Sequence, residues 1–339
     1  MHINNNNLPK KILSWYDNNK RTLPWRIKGK SQKHQYYRIL SEFMLQQTQV
    51  KTVIPYFNNF VKKIPSLKAL SKTNKKQVLK LWEGLGYYRR AKNLHISAKI
   101  LVKQYDSRIP NSFEEIKKLP GVGEYTANIL LALIYNQPRI GIDGNVKRIL
   151  ERIFNQSSEK SVTIFNLIFK KSTLSSRNAD IAEALMEFGA IICTPKNPKC
   201  DICNLKFNCN FFKKKINIKH KKKYFLKEKN YNIFCYIQKN KKQIALTKNK
   251  ELSFLHNLNI PETKIIKLSK NNKVPGWTFL CNYKNNISNT KMNINLFYKF
   301  TKSKPQHFKW HSIDKPGNAF IPSFTKKIIN KLKKVDLEF

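Results

Sequence analysis

Acidic residues are scarce in this chain. Of its 339 residues, 20 are Asp or Glu against 66 Lys or Arg, a formal net charge of +46. Long apolar runs are also missing. Ile129–Ile134 is among the longest, far short of the ~18 residues that a membrane span needs. The first residues, Met1–Asn7, are polar and Asn-rich and lack the apolar stretch of a signal peptide, so a soluble, cytoplasmic chain is expected. No internal repeat is visible. What is present excludes a mainly disordered basic tail: 41% hydrophobic and 12% aromatic residues can bury sizeable cores. At about 150 residues per domain, the length suggests two domains.

Lysine dominates the basic residues, and Asn and Ile are abundant. AT-rich coding alone produces part of that bias. The remaining excess makes a polyanion the natural partner, because Lys and Arg neutralise phosphates with release of counterions. Charge by itself does not separate DNA, RNA and anionic membrane.

Up to about residue 212 the pattern is helical. Apolar residues recur at helical spacing in Ile39–Phe60, Val78–Leu85, Ile96–Tyr105, Tyr125–Tyr135, Val146–Ile153 and Ile181–Ile192, with Pro and Gly punctuating between them. A Lys-dominated stretch, 213–229, reads as a linker. Beyond it, Tyr231–Gln238, Gln243–Thr247, Trp277–Tyr283 and Met292–Phe300 read as strands and Phe324–Leu332 as a closing amphipathic helix. The expected architecture is multidomain: an all-α domain over 1–212, a basic linker over 213–229, and a smaller α+β domain over 230–339.

Three features carry chemistry. Four of the six cysteines, Cys193, Cys200, Cys203 and Cys209, fall within seventeen residues in a C-x6-C-x2-C-x5-C pattern. In a cytoplasmic chain that density points to metal rather than disulfides. Zinc and iron–sulfur clusters are the candidates, and the single short knuckle suits one loop wrapped around a cubane better than zinc. Cys235 and Cys281 stand alone and read as core residues. Second, Leu119-Pro120-Gly121-Val122-Gly123 is a tight turn before a helix starting at about Glu124. Its glycines allow close approach and the helix start offers free N–H groups to an anion, as in a hairpin gripping a DNA phosphate. Third, two carboxylates stand out. Glu42 lies in an apolar helix start, and Asp143 lies just before a helix, where it also reads as an N-cap. A glycosidase needs such a pair, one acid and one group to stabilise or trap an oxocarbenium ion.

With Thr22–Arg26, Ser41–Val53, Gly84–Tyr88, Leu119–Ala127, Asp143–Arg148 and Gly189–Cys209 added, the chain resembles the MutY family of adenine DNA glycosylases, in the helix–hairpin–helix superfamily. The likeness is strong over about Leu13–Cys209 and weak beyond. The nearest alternative, an endonuclease III-like glycosylase and AP lyase, carries a catalytic Lys in the slot held here by Tyr125, and Tyr cannot form an imine. A non-catalytic DNA-binding scaffold is a third reading, against which intact Glu42 and Asp143 weigh.

The resemblance implies a monofunctional N-glycosylase of base excision repair. It would be a monomer acting on double-stranded DNA with A:8-oxoguanine or A:G mismatches, nucleoid-associated through that binding, with one 4Fe-4S cluster on Cys193, Cys200, Cys203 and Cys209 and no membrane partner. Adenine is flipped out of the duplex. Glu42 protonates it at N7 and then activates water. Asp143, positioned by Tyr125 and Asn145, stabilises the oxocarbenium ion or forms a transient adduct with it. Arg21 and Glu187 hold the adenine edge. Gln47, Thr48, Leu85 and Tyr87 fill or probe the gap in the duplex, and Gly121, Gly123 and Lys147 hold backbone phosphates. The second half is implied to be a MutT/Nudix-like domain that recognises 8-oxoguanine. It lacks the Nudix acidic signature, so no nucleotide hydrolysis is expected. The family's Phe-Ser-His recognition loop becomes Ile287-Ser288-Asn289 here, and its Trp-Gly-Gly segment aligns with Phe254-Leu255-His256.

Overall fold

A computed structural model describes residues 7–27, 29, 31–171, 175–214, 227–250, 252, 255–267, 273–287, 290–314 and 321–334. The chain divides into two compact units, 1–78 with 89–221, and 79–88 with 222–339. Among the described residues no helix is long and apolar enough to cross a membrane.

The described part of the first unit is helical: α1 (Leu8–Asn19), α2 (Gln32–Leu45), α3 (Val50–Lys63), α4 (Leu67–Lys72), the start of α5 (Lys75–Leu81), α6 (Arg89–Gln104), α7 (Phe113–Lys117), α8 (Glu124–Tyr135), α9 (Gly144–Phe154), α10 (Ser158–Lys171), α11 (Asn178–Ile191) and α12 (Asn210–Lys213). The apolar run expected as one helix over Ile39–Phe60 is two, α2 and α3, broken at Gln46–Gln49. Gln47 there has φ 56°, a left-handed conformation that no helix interior accepts. Val78–Leu85 likewise holds helix only to Leu81. Helices α1, α4, α7, α10 and α12 lie outside the runs of helical spacing that the sequence shows.

Helix α9 shows why the helical pattern works. Val146, Ile149, Leu150, Ile153 and Phe154 are all buried on one stripe at i, i+3, i+4, i+7, i+8. They pack with Leu8, Ile12 and Trp15 of α1 and with Ile181, Leu185 and Phe188 of α11 in one core, where Trp15 meets Phe188 edge-on at 4.9 Å. Helix α8 is buried on nearly every side from Thr126 to Ile134, which makes it the central post of the unit.

The second unit contains a mixed sheet of β1 (Lys227–Gln238), β2 (Gln243–Lys248), β3 (Asn259–Ile260), β4 (Glu262–Ile266), β5 (Thr278–Ile287), β6 (Thr290–Phe300) and β7 (Lys309–Ser312), followed by α13 (Ser323–Lys334). Its order is β3-β2-β1-β6-β5, with β4 also on β1 and β7 on β2. The β1–β6 pair is parallel and in register from Lys227↔Thr290 to Ile237↔Phe300, and the other pairs are antiparallel. Strand β1 begins inside the stretch expected as linker, because Lys227–Lys229 already pair with β6. Residues 215–226 and Phe254, and with them most of that linker, lie outside the described residues, as do Ser288 and Asn289 of the expected recognition loop.

Candidate active site

A cavity of about 200 Å³ opens in the first unit, and Glu42, Asp143, Tyr125, Asn145, Arg21 and Glu187 all line it. Residues 101 positions apart in sequence, Glu42 and Asp143, therefore face one space. Glu42 sits in the last turn of α2 and is 6% exposed. Burial pushes its carboxyl up to about 7. The Arg38 charge and a hydrogen bond with Tyr125 pull the other way, while the charges of Glu183 and Asp143 push further up. Near neutral pH a substantial fraction of these carboxyls therefore still holds a proton.

Asp143 is both the N-cap and a cavity group, so the two readings of it are compatible. Its Oδ1 accepts from the backbone N–H of Asn145 at 2.9 Å and of Val146 at 2.7 Å. Its Oδ2 accepts from Asn145 Nδ2 at 3.1 Å. Three donors at a helix N-terminus fix the carboxylate rigidly. Asn145 is held in turn, since its Oδ1 accepts from Arg148 Nη2 at 2.8 Å. The same guanidinium donates to the carbonyls of Gly189 and Cys193, both at 2.8 Å. A continuous chain thus runs from the start of the cysteine loop to Asp143.

Two glycines allow this closeness. A Cβ on Gly189 would lie 2.6 Å from Asn145 Cβ, and one on Gly141 would lie 2.7 Å from the Tyr125 ring. The Tyr125 hydroxyl donates to Met186 Sδ at 3.2 Å and reaches Glu42. Burial, with the carboxylates Glu42 and Asp143, raises it well above the ordinary phenol range, so it stays a neutral donor.

Glu187, on α11, is 2% exposed and fully engaged. Arg21 donates to it from Nε at 2.6 Å, Nη2 at 2.9 Å and its backbone N–H at 3.0 Å, and Arg26 Nη2 from 3.1 Å. Despite its burial, Arg21 and Arg26 hold it below the ordinary carboxylate range. Arg26, Arg38 and Glu183, also in the cavity wall, were not singled out in the sequence. The i, i+4 spacings Arg38–Glu42 and Glu183–Glu187 were the available signal, since such residues share a helix face. Arg90, equally unread, donates to the carbonyls of Phe43 and Met44 and closes the end of α2 beneath the site.

Of the remaining expected site residues, Thr48 lines the cavity and Gln47 forms the adjoining turn. Leu85 and Tyr87 belong to the second unit, Leu85 buried and Tyr87 44% exposed, and neither lines the cavity. In the hairpin, Gly121 has φ +83°, and a Cβ there would meet Asn93 and Phe43 at under 3.0 Å, so the fold itself demands glycine. Gly123, the N-cap of α8, has φ −95° and open space where a Cβ would stand. Nothing among the described residues requires glycine there, which leaves room for a group from outside at the helix start. Lys147 is half-exposed, 4.0 Å from Glu151 on α9.

Cys193, Cys200, Cys203 and Cys209 are free thiols and line one small cavity with Ile192, Pro198, Phe211 and Phe212. Burial raises the thiols of Cys200, Cys203 and Cys209, that of Cys203 to about 11. Arg152 Nη1 lies 3.3 Å from Cys193 Sγ and its guanidinium also holds the Thr194 and Pro195 carbonyls. Among the described residues no three His, Cys, Asp or Glu side chains converge on a single-ion site. Four cysteine sulfurs that line one cavity are the donor set that zinc or an iron–sulfur cluster takes.

The sequence matches the model of the HhH-GPD superfamily base excision DNA repair proteins over residues 40–172. The adenine DNA glycosylase of Buchnera aphidicola subsp. Baizongia pistaciae is 35% identical over 348 residues, covering 95% of this chain and 96% of that protein. The human adenine DNA glycosylase is 36% identical over 207 residues, 58% of this chain and 38% of its own. Among solved structures, a thermostable thymine-DNA glycosylase aligns with TM-score 0.54 and 27% identity over 61% of this chain and 95% of its own. An endonuclease III in a non-covalent DNA complex aligns with TM-score 0.51 and 19% identity, over 61% and 94%, a likeness of fold. Coverage of nearly the whole chain at that identity, on a helical unit of this fold followed by a mixed sheet, places the chain in the adenine DNA glycosylase family.

Proposed function

We propose that this chain is a monofunctional glycosylase that excises adenine paired with 8-oxoguanine or guanine in duplex DNA and leaves an abasic site. The observation that carries the reading is the pair of unlike carboxyls in one cavity. Glu42 is buried, with its titration moved up to about 7, and Asp143 is fixed by three N–H donors. Environments that differ in this way divide acid from electrostatic work.

The everted adenine enters the cavity between Glu42 and the wall made by Arg21 and Glu187. Glu42 gives its proton to N7, and the C1′–N9 bond breaks with its electron pair leaving on the base. The Asp143 carboxylate faces the positive charge that develops on the sugar. Water then attacks C1′ and returns a proton to Glu42. Tyr125 and Asn145 hold the two carboxyls in place. Gly121, Gly123 and Lys147 would face the backbone phosphates, with Gln47, Thr48, Leu85 and Tyr87 at the duplex gap.

Among the described residues that line the cavity none is a lysine, and Tyr125 stands where a lyase's amine would be expected. Tyr125→Lys is expected to install weak strand cleavage, read by borohydride trapping of a protein–DNA adduct. Its burial site would have to depress the amine's proton affinity. Equal trapping by the unmutated protein contradicts the monofunctional reading. The direct test of the function is incubation with A:8-oxoguanine and A:G duplexes. Breaks only after alkali support it, breaks without alkali indicate a lyase, and no abasic product indicates a binding protein.

The four cysteines would hold one 4Fe-4S cluster, which when bound supplies a cross-link that orders the loop. Lys199 and Lys206, beside them in the same wall, would then meet phosphate. The purified protein is expected to be brown and to contain iron. Cys203→Ser is expected to lower iron content, DNA affinity and solubility together. Zinc without iron on elemental analysis would refute the cluster. The second unit is read as a MutT-like lesion-recognition domain in which Ser288 and Asn289 occupy the probing loop.

A further inference from the structure

Helix α2 carries His34, Arg38 and Glu42 at four-residue spacing, all three buried, so they stack on one face. A buried arginine one turn from a buried glutamate has an obvious partner in it. Pairing with Glu42 would stabilise the charged carboxylate and remove the proton that excision needs. The structure shows a different arrangement. Arg38 Nε donates to His34 Nε2 at 3.2 Å and Nη1 donates to Glu183 Oε1. His34 is kept neutral by burial and by Arg38 itself, which hold it at about 4, so it serves as an acceptor. Glu183 is held from its other side by the Tyr16 hydroxyl and by Arg26 Nε at 3.1 Å. Arg38 and Glu183 are 10% and 8% exposed in their side chains, so solvent screens neither.

We propose that Glu183 is a positioning residue that draws the Arg38 guanidinium off Glu42 and thereby keeps the catalytic proton in place until adenine accepts it. This deepens the reading of Glu42 as the acid and rests on it. The charged and titratable groups facing Glu42 are Arg38 from its own helix, Tyr125 from α8, Asp143 from the cap of α9 and Glu183 from α11. Arg38 favours the anion of Glu42 and Glu183 disfavours it. The two charges act on the Glu42 proton in opposite directions, so removing one shifts it and removing the other as well works against that shift.

The test is the pH profile of single-turnover adenine release from an A:8-oxoguanine duplex, for wild type, Glu183→Gln, Arg38→Met and the double variant. On the basic limb the rate follows the protonated fraction, so a limb moved by one pH unit is about a tenfold change in rate there. Glu183→Gln is expected to move the limb to lower pH, Arg38→Met to higher pH, and the double variant to return it toward wild type. Damage to packing alone would lower the rate at every pH and leave the limb in place. Limbs that stay fixed, or that move the same way in both single variants, overturn the proposal. Glu42→Gln separates the two layers. If that variant excises at the wild-type rate, the acid is misassigned. If it is inactive while the limbs do not move, only the role of Glu183 falls.

Discussion

Glu42→Gln is expected to lower single-turnover adenine release by ~10²–10⁴-fold and, at the same time, to stabilise the fold near and above neutral pH. The amide keeps the shape of the carboxyl and has no proton to give to N7. The stability effect follows from the raised proton affinity. Glu42 titrates at its ordinary 4.5 in the unfolded chain and at about 7 in the folded one. Below 4.5 both states hold the proton and nothing is lost. Between the two values the unfolded chain releases a proton that the fold retains, so stability falls as pH rises. Above about 7 the full cost is in place, on the order of 3 kcal/mol. Gln escapes it. Urea unfolding of both proteins on either side of that window should show the variant's advantage growing with pH. An advantage that is the same at every pH would mean that Glu42 is not a buried acid of this kind.

Asp143→Asn is the second large effect. The amide oxygen can still cap α9 through the N–H groups of Asn145 and Val146, so the fold and DNA binding should survive. Its NH₂ group, however, meets the Asn145 Nδ2 donor where Oδ2 stood, and the negative charge is gone. Loss of one preorganised electrostatic group of this kind is typically worth ~10²–10³ in rate. A variant with unchanged unfolding midpoint and excision slowed by that factor fits the role given to Asp143. Excision within a few-fold of wild type would remove it from the mechanism.

Much of this site was legible because its residues sit in local patterns. Asp143 precedes a clean amphipathic stripe and so marks both a helix start and a carboxylate. The turn Leu119–Gly123 is written in Pro and Gly. The four cysteines announce themselves by density. The strands β1, β5 and β6 are 12, 10 and 11 residues long and so could be seen, with β6 largely alternating in burial, while β2 shows as a short apolar run. The short β3, β4 and β7 have too few residues to carry a period. The break between α2 and α3 falls on four consecutive polar residues, Gln46–Gln49, with no Pro or Gly to mark it, and the left-handed Gln47 is seen only in the backbone. The buried ion network was hidden for another reason. Arg26, Arg38 and Glu183 look like ordinary surface charges in a chain with so many of them, and only tertiary packing brings Tyr16, Arg26 and Arg38 onto one carboxylate. Glu187 illustrates the same limit. It lies in the cavity wall, and its engagement by Arg21 and Arg26 did not show in the sequence.

The measurement that bears most directly on the central claim is release of free adenine from an A:8-oxoguanine duplex in single turnover, on either side of about pH 7, by wild type and Glu42→Gln. The expected result is rapid release by the wild type below that pH, a decline above it, strand breakage only after alkali, and no release by the variant. Adenine released by Glu42→Gln at the wild-type rate, or a wild-type rate that does not change across that pH, would contradict it.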